Sequence, residues 1–450
     1  MHNEENHTTG GGDSERALID LNLRQFCEPL LNVGAGLAVC LGLLQCWLIF
    51  ISMHGRATQN DFSVYYLTAK AVAANQNPYN ADFTAQAAKL GFDTGDVPHA
   101  TDPPTFILMI APLAHLSLEG AFWTWSAFNF ICLALALFLL LGPISELGTR
   151  AKLVLASSSV WYPPVPAHLF FAQSKLPVLM LLVLSIYMMQ QKREACAGFA
   201  LALACLTRMF PLLLLGYLAL QRRSKTLACT TIWLVIGGFI TILLFGLTNT
   251  LSFQKAAAFL SEHWNVRVQD ISLRGFITRL FWHIFERPLS PTNEGIRGIV
   301  IFAVNCGILL LTISATLNRP SDKDVDWSVF TLWTITALIL SPVVWFHYEV
   351  LLLLLFAQIA SAASQRRTTL RVVVMSVISP ILTLVWVVVG DRYGGHALRS
   401  WQHLLSEFGF LSMLAAYVSA YWFVTDEPDA ASMPTRSMPG EIWRRFASTA

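Results

Sequence analysis

The sequence predicts an all-α polytopic membrane protein that crosses the bilayer about 10 to 11 times. Of its 450 residues, 55% are hydrophobic and 13% are charged, whereas about 25% of the residues of an average soluble domain are charged. Runs of about 20 apolar residues recur along most of the chain, and each is long enough to cross a hydrocarbon core of about 30 Å. This composition excludes a soluble enzyme, a nucleic-acid-binding protein and a receptor with a single span.

Most of the apolar runs are continuous, and one further element, 196–221, is interrupted. The continuous runs are 30–53, 118–141, 153–171, 176–191, 226–247, 296–318, 326–343, 347–364, 370–390 and 407–424. The first run is too long for the apolar region of a signal peptide, and no clear cleavage site follows it. We therefore expect it to stay in the membrane as the first span.

Positively charged residues between the spans predict the orientation. They form the clusters Arg150/Lys152, Lys192/Arg193, Arg222/Arg223/Lys225, Arg319/Lys323 and Arg366/Arg367/Arg371. All lie on one side of the membrane if the N-terminus is cytoplasmic, as the positive-inside rule requires. In the plasma (inner) membrane, this gives a cytoplasmic tail at 1–29, a membrane domain at 30–424 and a disordered cytoplasmic tail at 425–450. The outer segments are then 54–117, 161–175, 248–295 and 391–406.

The interrupted element has basic clusters at both ends, and these cannot lie on opposite sides of the membrane without violating the same rule. Arg208 and Pro211 break its apolar sequence, so a re-entrant helical hairpin that does not cross is expected. Arg208 would then lie deep in the membrane. A cation at that depth is more often functional, and the alternative is an arginine whose side chain extends to the membrane surface.

Asp61 follows the first span and precedes a helical pattern that contains Tyr65 and Tyr66. One interpretation is a helix N-cap. The other is a general base, because a carboxylate beside aromatic side chains at the outer mouth of a bundle can accept a proton from a substrate. Both tyrosines are candidates for stacking against a sugar or an acceptor. Asp102, before a proline pair, is either a second acid or a turn residue.

Further polar residues of the outer segments are candidates for a ligand site. Gln173 and Lys175 offer an amide and a cation just before a span. Arg274 lies in a segment that alternates cations with apolar residues, which is also the pattern of an interfacial helix on anionic headgroups. His347 and Trp345 lie where a span reaches the outer surface. This histidine is either a satisfied core residue or a ligand contact.

The sequence offers little support for metal or nucleotide chemistry. Asp322, Asp324 and Asp326 could hold a divalent cation, but the topology places them in a short cytoplasmic loop. The sequence contains no Walker, GxGxxG or HExxH motif. Its eight cysteines lie mostly in apolar runs without metal-ligand spacing. We expect no metal, no other cofactor and no nucleic-acid partner.

The ordered motifs resemble those of glycosyltransferase family 87, whose polyprenyl-phosphate-sugar-dependent enzymes belong to the GT-C superfamily and include mannosyltransferases and arabinofuranosyltransferases. The resemblance covers about residues 30–400. It rests on Asp61-Phe62 with Tyr65-Tyr66 and Asn77-Pro78-Tyr79, Pro103-Pro104-Thr105-Phe106 with Ala111-Pro112-Leu113, Gln173, Arg208 with Pro211, Ser272-Leu273-Arg274-Gly275 with Arg279, and Ser341-Pro342 with Trp345 and His347. The chain departs from the family pattern at four positions. Asp102 stands where the family usually has an aromatic residue, Lys175 where an asparagine is common and Arg208 where a lysine is common, and Ile271 interrupts the usual run before Ser272.

The resemblance implies a GT-C-type helix bundle in which Asp61 is the catalytic base and His347 lies near the donor phosphate or the reacting sugar. It further implies that mannose or another hexose or pentose moves from a polyprenyl-phosphate donor to a hydroxyl group of a lipid or glycan acceptor. A single displacement by an activated hydroxyl inverts the anomeric carbon. Arg208, Arg274 and Lys175 are candidate phosphate contacts, and one base with several cations needs no metal.

Two other classes of protein remain open from the sequence. A flippase or transporter of lipid-linked sugars would also use broken helices and intramembrane charges, although the chain has no visible internal repeat. A membrane scaffold protein would leave Asp61 and His347 without a role.

Overall fold

The computed structural model describes residues 11–55, 57–58, 61–91, 100–145, 147–264, 267, 269–285, 289–319, 326–365, 368–393 and 407–426. Within these ranges the chain is helical, and its extended backbone pairs at one isolated antiparallel bridge, between Asp270 and Trp345. The all-α prediction is therefore confirmed. Asp322, Asp324 and nearly all of the predicted tail 425–450 lie outside the described residues.

The α-helices, in chain order, are α1 (Gly11–Met53), α2 (Phe62–Ala73), α3 (Thr84–Lys89), α4 (Pro104–Ile110), α5 (Leu118–Leu141), α6 (Thr149–Ser159), α7 (Pro164–Phe170), α8 (Lys175–Gln190), α9 (Glu194–Thr207), α10 (Leu214–Leu220), α11 (Ser224–Phe245), α12 (Leu247–Trp264), α13 (Leu273–Ile284), α14 (Pro291–Leu317), α15 (Trp327–Ile339), α16 (Leu353–Ser364), α17 (Leu370–Tyr393) and α18 (Phe408–Asp426). The 3₁₀ segments Ala111–His115, Phe210–Leu213 and Phe346–Leu352 extend α4 and precede α10 and α16.

Seven helices of the described chain are long and apolar enough to cross a membrane. They are Asn32–Met53, Leu118–Leu141, Ser224–Phe245, Pro291–Leu317, Phe346–Ser364, Leu370–Val388 and Phe408–Asp426. α8 and α15 are also apolar but shorter, with 16 and 13 residues. Neighbouring helices bury most of α8 and all of α15 except Trp327, so these two helices contact protein far more than lipid. The protein is a multi-pass membrane protein.

Two predicted boundaries differ from the structure. The span 153–171 is wrong as a single helix, because α6 ends at Ser159 and α7 begins at Pro164. Pro163 and Pro164 lack amide hydrogens and disfavour a helical conformation in the residue before them, so the helix cannot continue through the pair. α1 begins at Gly11, so much of the polar segment 1–29 that was expected to be a tail is helical.

The interrupted element is a hairpin, as predicted. α9 ends at Thr207, and Arg208 adopts an extended conformation before the chain returns through α10. The start and the end of the hairpin lie close together, since an Arg223 guanidinium nitrogen lies 3.8 Å from a Glu194 carboxylate oxygen. At 1.5 Å per residue, α9 extends about 21 Å from this end before it breaks. Arg208 therefore lies at the tip of the hairpin.

Close packing holds the hairpin between its neighbours. α9 packs against both α8 and α11, and a Cβ atom added to Gly198 would lie 2.7 Å from Cys229 Cβ and 2.8 Å from the Thr226 carbonyl oxygen. Small residues of this kind allow membrane helices to approach each other closely. α11 and α14 also expose large apolar side chains such as Leu244 and Phe302, each 70% exposed. These surfaces fit contact with lipid.

Candidate active site

Four separated segments of the chain bring polar side chains together at the hairpin tip. Asp61 directly precedes α2, Asp102 precedes the proline pair that starts α4, and Gln173 with Lys175 lies at the turn between α7 and α8. The tip itself supplies Arg208. We call the set that these segments form the Gln173 network, and its members are Asp61, Tyr65, Asp102, Gln173, Ser174, Lys175 and Arg208.

Asp61 is the carboxylate at the edge of this network. Its side chain does not cap α2, and its Oδ2 accepts a hydrogen bond of 2.6 Å from Gln173 Nε2. The residue is exposed, although the surrounding protein removes enough water from the carboxylate to raise its pKa. The Gln173 hydrogen bond and the Lys175 charge lower the pKa, and the Asp102 charge raises it. The cap interpretation is therefore wrong for the side chain, which points to Gln173 instead.

Gln173 connects the carboxylate to the cations. Its Oε1 accepts hydrogen bonds from Tyr65 Oη at 3.0 Å and from Lys175 Nζ at 2.9 Å. Both partners are donors to this atom, so Oε1 must face them and Nε2 must face Asp61. The preceding residue, Ala172, adopts a positive φ of 48°, and its carbonyl accepts a 2.7 Å hydrogen bond from Trp125 Nε1. The turn thus fixes the direction of the amide.

Arg208 is largely buried, with a side chain that is 13% exposed, and each of its three guanidinium nitrogens contacts the protein. Its guanidinium group forms an ion pair with Asp102, and it donates hydrogen bonds of 2.8 Å to Ser174 Oγ and to Tyr65 Oη. The group also lies over the Phe106 ring, 5.3 Å from its centroid. The donor phosphate stays a predicted partner of this arginine, and the structure adds Asp102 as an anionic partner within the protein. Two of the positions that depart from the family pattern, 102 and 208, therefore contact each other.

Lys175 differs from Arg208 because no carboxylate among the described residues forms an ion pair with it. The residue is 1% exposed. Its Nζ contacts Gln173 Oε1 and lies 3.9 Å from the centroid of the Tyr348 ring. A buried ammonium group without a counter-ion is costly unless an anion arrives. Lys175 is therefore the cation of this network that is available to a ligand.

The remaining predicted site residues lie around the network. His347 is 3% exposed, with its ring centroid 6.0 Å from that of Phe171. Trp345 pairs its backbone with Asp270, and half-buried Arg274 lies in the first turn of α13. Tyr66 is buried and donates to the Leu116 carbonyl at 3.0 Å. Tyr65 is also buried, and its ring packs edge-on against Phe106 and Trp125. The sugar or acceptor that was predicted to stack on this ring would therefore have to contact the Tyr65 hydroxyl group instead of the ring face.

A second buried polar cluster was not predicted from the sequence. We call it the Asp270 cluster, and its members are Asp270, Ser272, Arg279, Val344 and Glu407. The Asp270 carboxylate accepts hydrogen bonds from the backbone amides of Ser272 and Val344, both at 2.9 Å. Arg279 binds Glu407 through two 2.7 Å hydrogen bonds. The only local signal was the Ser272 N-cap of α13, because Val344 and Glu407 are distant in sequence.

Among the described residues, no group of three or more histidine, cysteine, aspartate or glutamate residues has the arrangement of a metal site. Whether catalysis uses a metal stays a prediction.

The all-helical membrane fold with a buried polar network at a hairpin tip defines a multi-pass membrane protein with a candidate active site. Residues 101–342, more than half of the chain, match the sequence model of glycosyltransferase family 87. The chain belongs to this family and is a membrane glycosyltransferase. A comparison with curated proteins gives no match. The matched residues include Asp102, Gln173, Lys175 and Arg208, whereas Asp61 and His347 lie outside the match.

Proposed function

We propose that this protein transfers a sugar from a polyprenyl-phosphate donor to a hydroxyl group of a lipid or glycan acceptor, with Asp61 as the general base and inversion at the anomeric carbon. One observation carries the proposal. An exposed carboxylate, Asp61, is connected through Gln173 to a buried cation, Lys175, that has no counter-ion among the described residues. A base and an anion site on the two sides of one amide suit a displacement that takes a proton from one substrate and releases a phosphate from the other.

Asp61 has the properties that proton transfer requires. Loss of water contact raises its pKa, which makes the carboxylate a stronger base than an aspartate in water. Gln173 occupies Oδ2 and leaves Oδ1 for the acceptor. In the reaction, the acceptor oxygen attacks the anomeric carbon and its proton moves to Asp61. The bond between this carbon and the phosphate oxygen breaks, and its electron pair leaves with the phosphate.

The leaving phosphate gains negative charge as that bond breaks, and Lys175 is the cation that can stabilise it. Arg208 contributes by position, because its ion pair with Asp102 and its hydrogen bonds to Tyr65 and Ser174 fix the groups around Lys175. In this scheme the charges come from protein side chains, and we propose that transfer is independent of metal ions.

An apolar groove beside the network fits the polyprenyl chain. Its volume is about 300 Å³, and its lining is Thr105, Leu108, Met109, Phe199, Ala202, Leu203, Leu206, Trp233, Ile236, Gly237, Ile240, Thr241 and Leu244. α4, α9 and α11 form it. The groove ends near the network, because Thr105 and Leu206 are close neighbours of Asp102 and Arg208 in the chain and hydrogen-bond to each other. A lipid chain there would lead its phosphate towards the hairpin tip.

The positive-inside pattern supports an N-terminus in the cytoplasm and the network on the outer face, and the proposal places the protein in the plasma membrane. Nucleotide sugars are made in the cytoplasm, so an enzyme whose site faces outward needs a donor that the membrane carries, such as a polyprenyl-phosphate sugar. The predicted topology, the donor class and the position of the Gln173 network are therefore consistent with one another.

The test is a transfer assay with the purified protein in nanodiscs. Radiolabelled polyprenyl-phosphate mannose is incubated with the protein and a membrane lipid extract, and we expect a new labelled lipid. The matched reaction contains a radiolabelled nucleotide sugar instead, and we expect no product from it. Product from the nucleotide sugar alone would overturn the donor assignment. Movement of the labelled donor across a vesicle membrane without transfer would favour the flippase alternative.

A further inference from the structure

His168 is a buried histidine of α7 whose ring has two different environments. The residue is 0% exposed. Its Nε2 accepts hydrogen bonds from the backbone amides of Lys175 at 2.8 Å and Leu176 at 3.1 Å. These amides belong to the first turn of α8, where a helix leaves its N–H groups without partners. One side of the imidazole ring therefore has a structural role.

The two accepted hydrogen bonds determine which ring nitrogen carries the hydrogen. A nitrogen that accepts from two N–H groups cannot itself be protonated, so the hydrogen of the neutral ring is on Nδ1. Nδ1–H is then a donor, and it is buried without a hydrogen-bond partner among the described residues. A buried donor without an acceptor costs about 1–3 kcal/mol. Such a group in a native site points to a ligand that is absent from the described chain.

Two other groups near His168 could also bind an anionic ligand. His347 Nε2 is buried without a hydrogen-bond partner among the residues that the structure describes, and the centroids of the two imidazole rings are 6.2 Å apart. Lys175, whose backbone amide His168 binds, has no ion-pair partner in that part of the chain. A ligand with several acceptor oxygens and a negative charge would satisfy all three groups.

We propose that His168 binds the phosphate of the lipid-linked donor through Nδ1–H, together with Lys175 and His347. This inference rests on the proposed function, which supplies the phosphate. It assigns one histidine to two tasks, since Nε2 holds the start of α8 and Nδ1 binds the ligand. The helix that carries Lys175 and the phosphate contact are thereby fixed relative to each other.

The substitution His168→Gln separates the two tasks. The glutamine amide can place an acceptor oxygen where Nε2 lies, so the start of α8 keeps its partner, and the donor at the Nδ1 position is lost. A hydrogen bond to a charged acceptor contributes enough that we expect polyprenyl phosphate to bind roughly 10- to 100-fold more weakly. Binding is measured by tryptophan fluorescence in nanodiscs, and His115→Gln, at an exposed residue, is the matched control with unchanged affinity.

The outcomes distinguish this inference from the proposed function. Failure of the wild-type protein to bind polyprenyl phosphate would contradict the proposed function. Normal binding by both wild type and His168→Gln would leave that function intact and overturn the role of His168. Inorganic phosphate is the second probe, and we expect it not to displace the lipid at equal concentration. Equal displacement would assign the histidine to free phosphate and also overturn the proposal.

A second measurement needs no folded variant. In the wild-type protein with ¹⁵N-labelled histidine, His168 should show the Nδ1–H form with and without ligand, and polyprenyl phosphate should move its Nδ1–H proton signal downfield. A proton on Nε2, or a signal that does not move on saturation with ligand, would overturn the proposal.

Discussion

Asp61 and Asp270 are both crowded by protein, and loss of water contact raises the pKa of each, to about 6 for Asp270. Their hydrogen bonds differ. Asp270 is 0% exposed, and its carboxylate accepts from the amides of Ser272 and Val344 and from the Ser272 hydroxyl. Asp61 is exposed and accepts a single hydrogen bond, from a side-chain amide. Neighbouring groups of the protein use the hydrogen-bonding capacity of the Asp270 carboxylate, whereas Asp61 keeps one carboxylate oxygen for a substrate.

This difference teaches that a raised pKa alone does not mark a reactive carboxylate. Asp270 joins the start of α13 to the segment before His347, since Ile271 N also donates to the Val344 carbonyl at 2.7 Å. A Cβ atom on Gly275 would lie 2.8 Å from Asp270 Oδ2, so the cluster leaves no room for a ligand. Asp270 is therefore a structural residue. The Gln173 network instead has an unpaired cation and an accessible base.

The largest expected effect is that of Asp61→Asn on transfer. General-base catalysis contributes about 10²–10⁴-fold in rate, so we expect activity to fall by this factor. Asn has nearly the same size and can still pair with Gln173 through its carbonyl oxygen. The melting temperature and the affinity for polyprenyl phosphate should therefore change little. Initial rates with the labelled donor are the measurement.

The control for this variant is Asp82→Asn. Asp82 is an exposed carboxylate of the same outer segment whose Oδ1 accepts from Thr84 N at 2.9 Å, and we expect normal activity. Asp102→Asn is unsuitable, because it would leave Arg208 buried without its counter-ion, which costs about 3–5 kcal/mol. A rate within threefold of wild type for Asp61→Asn would remove Asp61 from the mechanism.

Asp270→Ala should have the opposite effect. The protein should lose stability and keep its catalytic activity. The change leaves two buried backbone amides without an acceptor, at about 1–3 kcal/mol each, so we expect the free energy of unfolding to fall by roughly 2–6 kcal/mol. The turnover per folded molecule should stay within a few fold of wild type. Denaturation in detergent and active-site-normalised rates measure the two quantities. A stable but inactive Asp270→Ala protein would contradict the division between the two aspartates.

The smallest effect concerns the pH dependence of the rate. Gln173→Leu removes a hydrogen bond that lowers the pKa of Asp61, so this pKa should rise further. A base acts when it is deprotonated, and activity is lost as the pH falls through its pKa. The acidic limb of the rate profile should therefore move to higher pH, because the hydrogen bond from Gln173 stabilises the charged carboxylate.

Rates measured from pH 5 to 9 test this shift, with Gln191→Leu at an exposed turn as the control. The Lys175 and Asp102 charges also act on Asp61 and are unchanged in both variants. An acidic limb that stays in place, or moves to lower pH, would show that Gln173 does not tune the base.

The sequence by itself determined the fold class, the first span and the hairpin. Long apolar runs have one stable state in a bilayer, because each backbone N–H must find its partner within the same helix. The break at Arg208 and Pro211 was visible for a similar reason, since proline removes a helical hydrogen bond. The local sequence also identified Asp61, Gln173 and Lys175 as candidate site residues. It further suggested a helix cap that the Asp61 side chain does not form.

Only the tertiary structure decided which polar groups satisfy one another. Asp102 and Arg208 are 106 residues apart in the chain, and no local pattern states that they form an ion pair, so the sequence could not show that this cation has a carboxylate partner within the protein. The same holds for His168, whose free nitrogen is known only from the amides that its other nitrogen binds. Apolar burial is additive along a helix and can be read residue by residue, but the availability of a charge depends on every neighbour that the folded chain brings within a few ångströms.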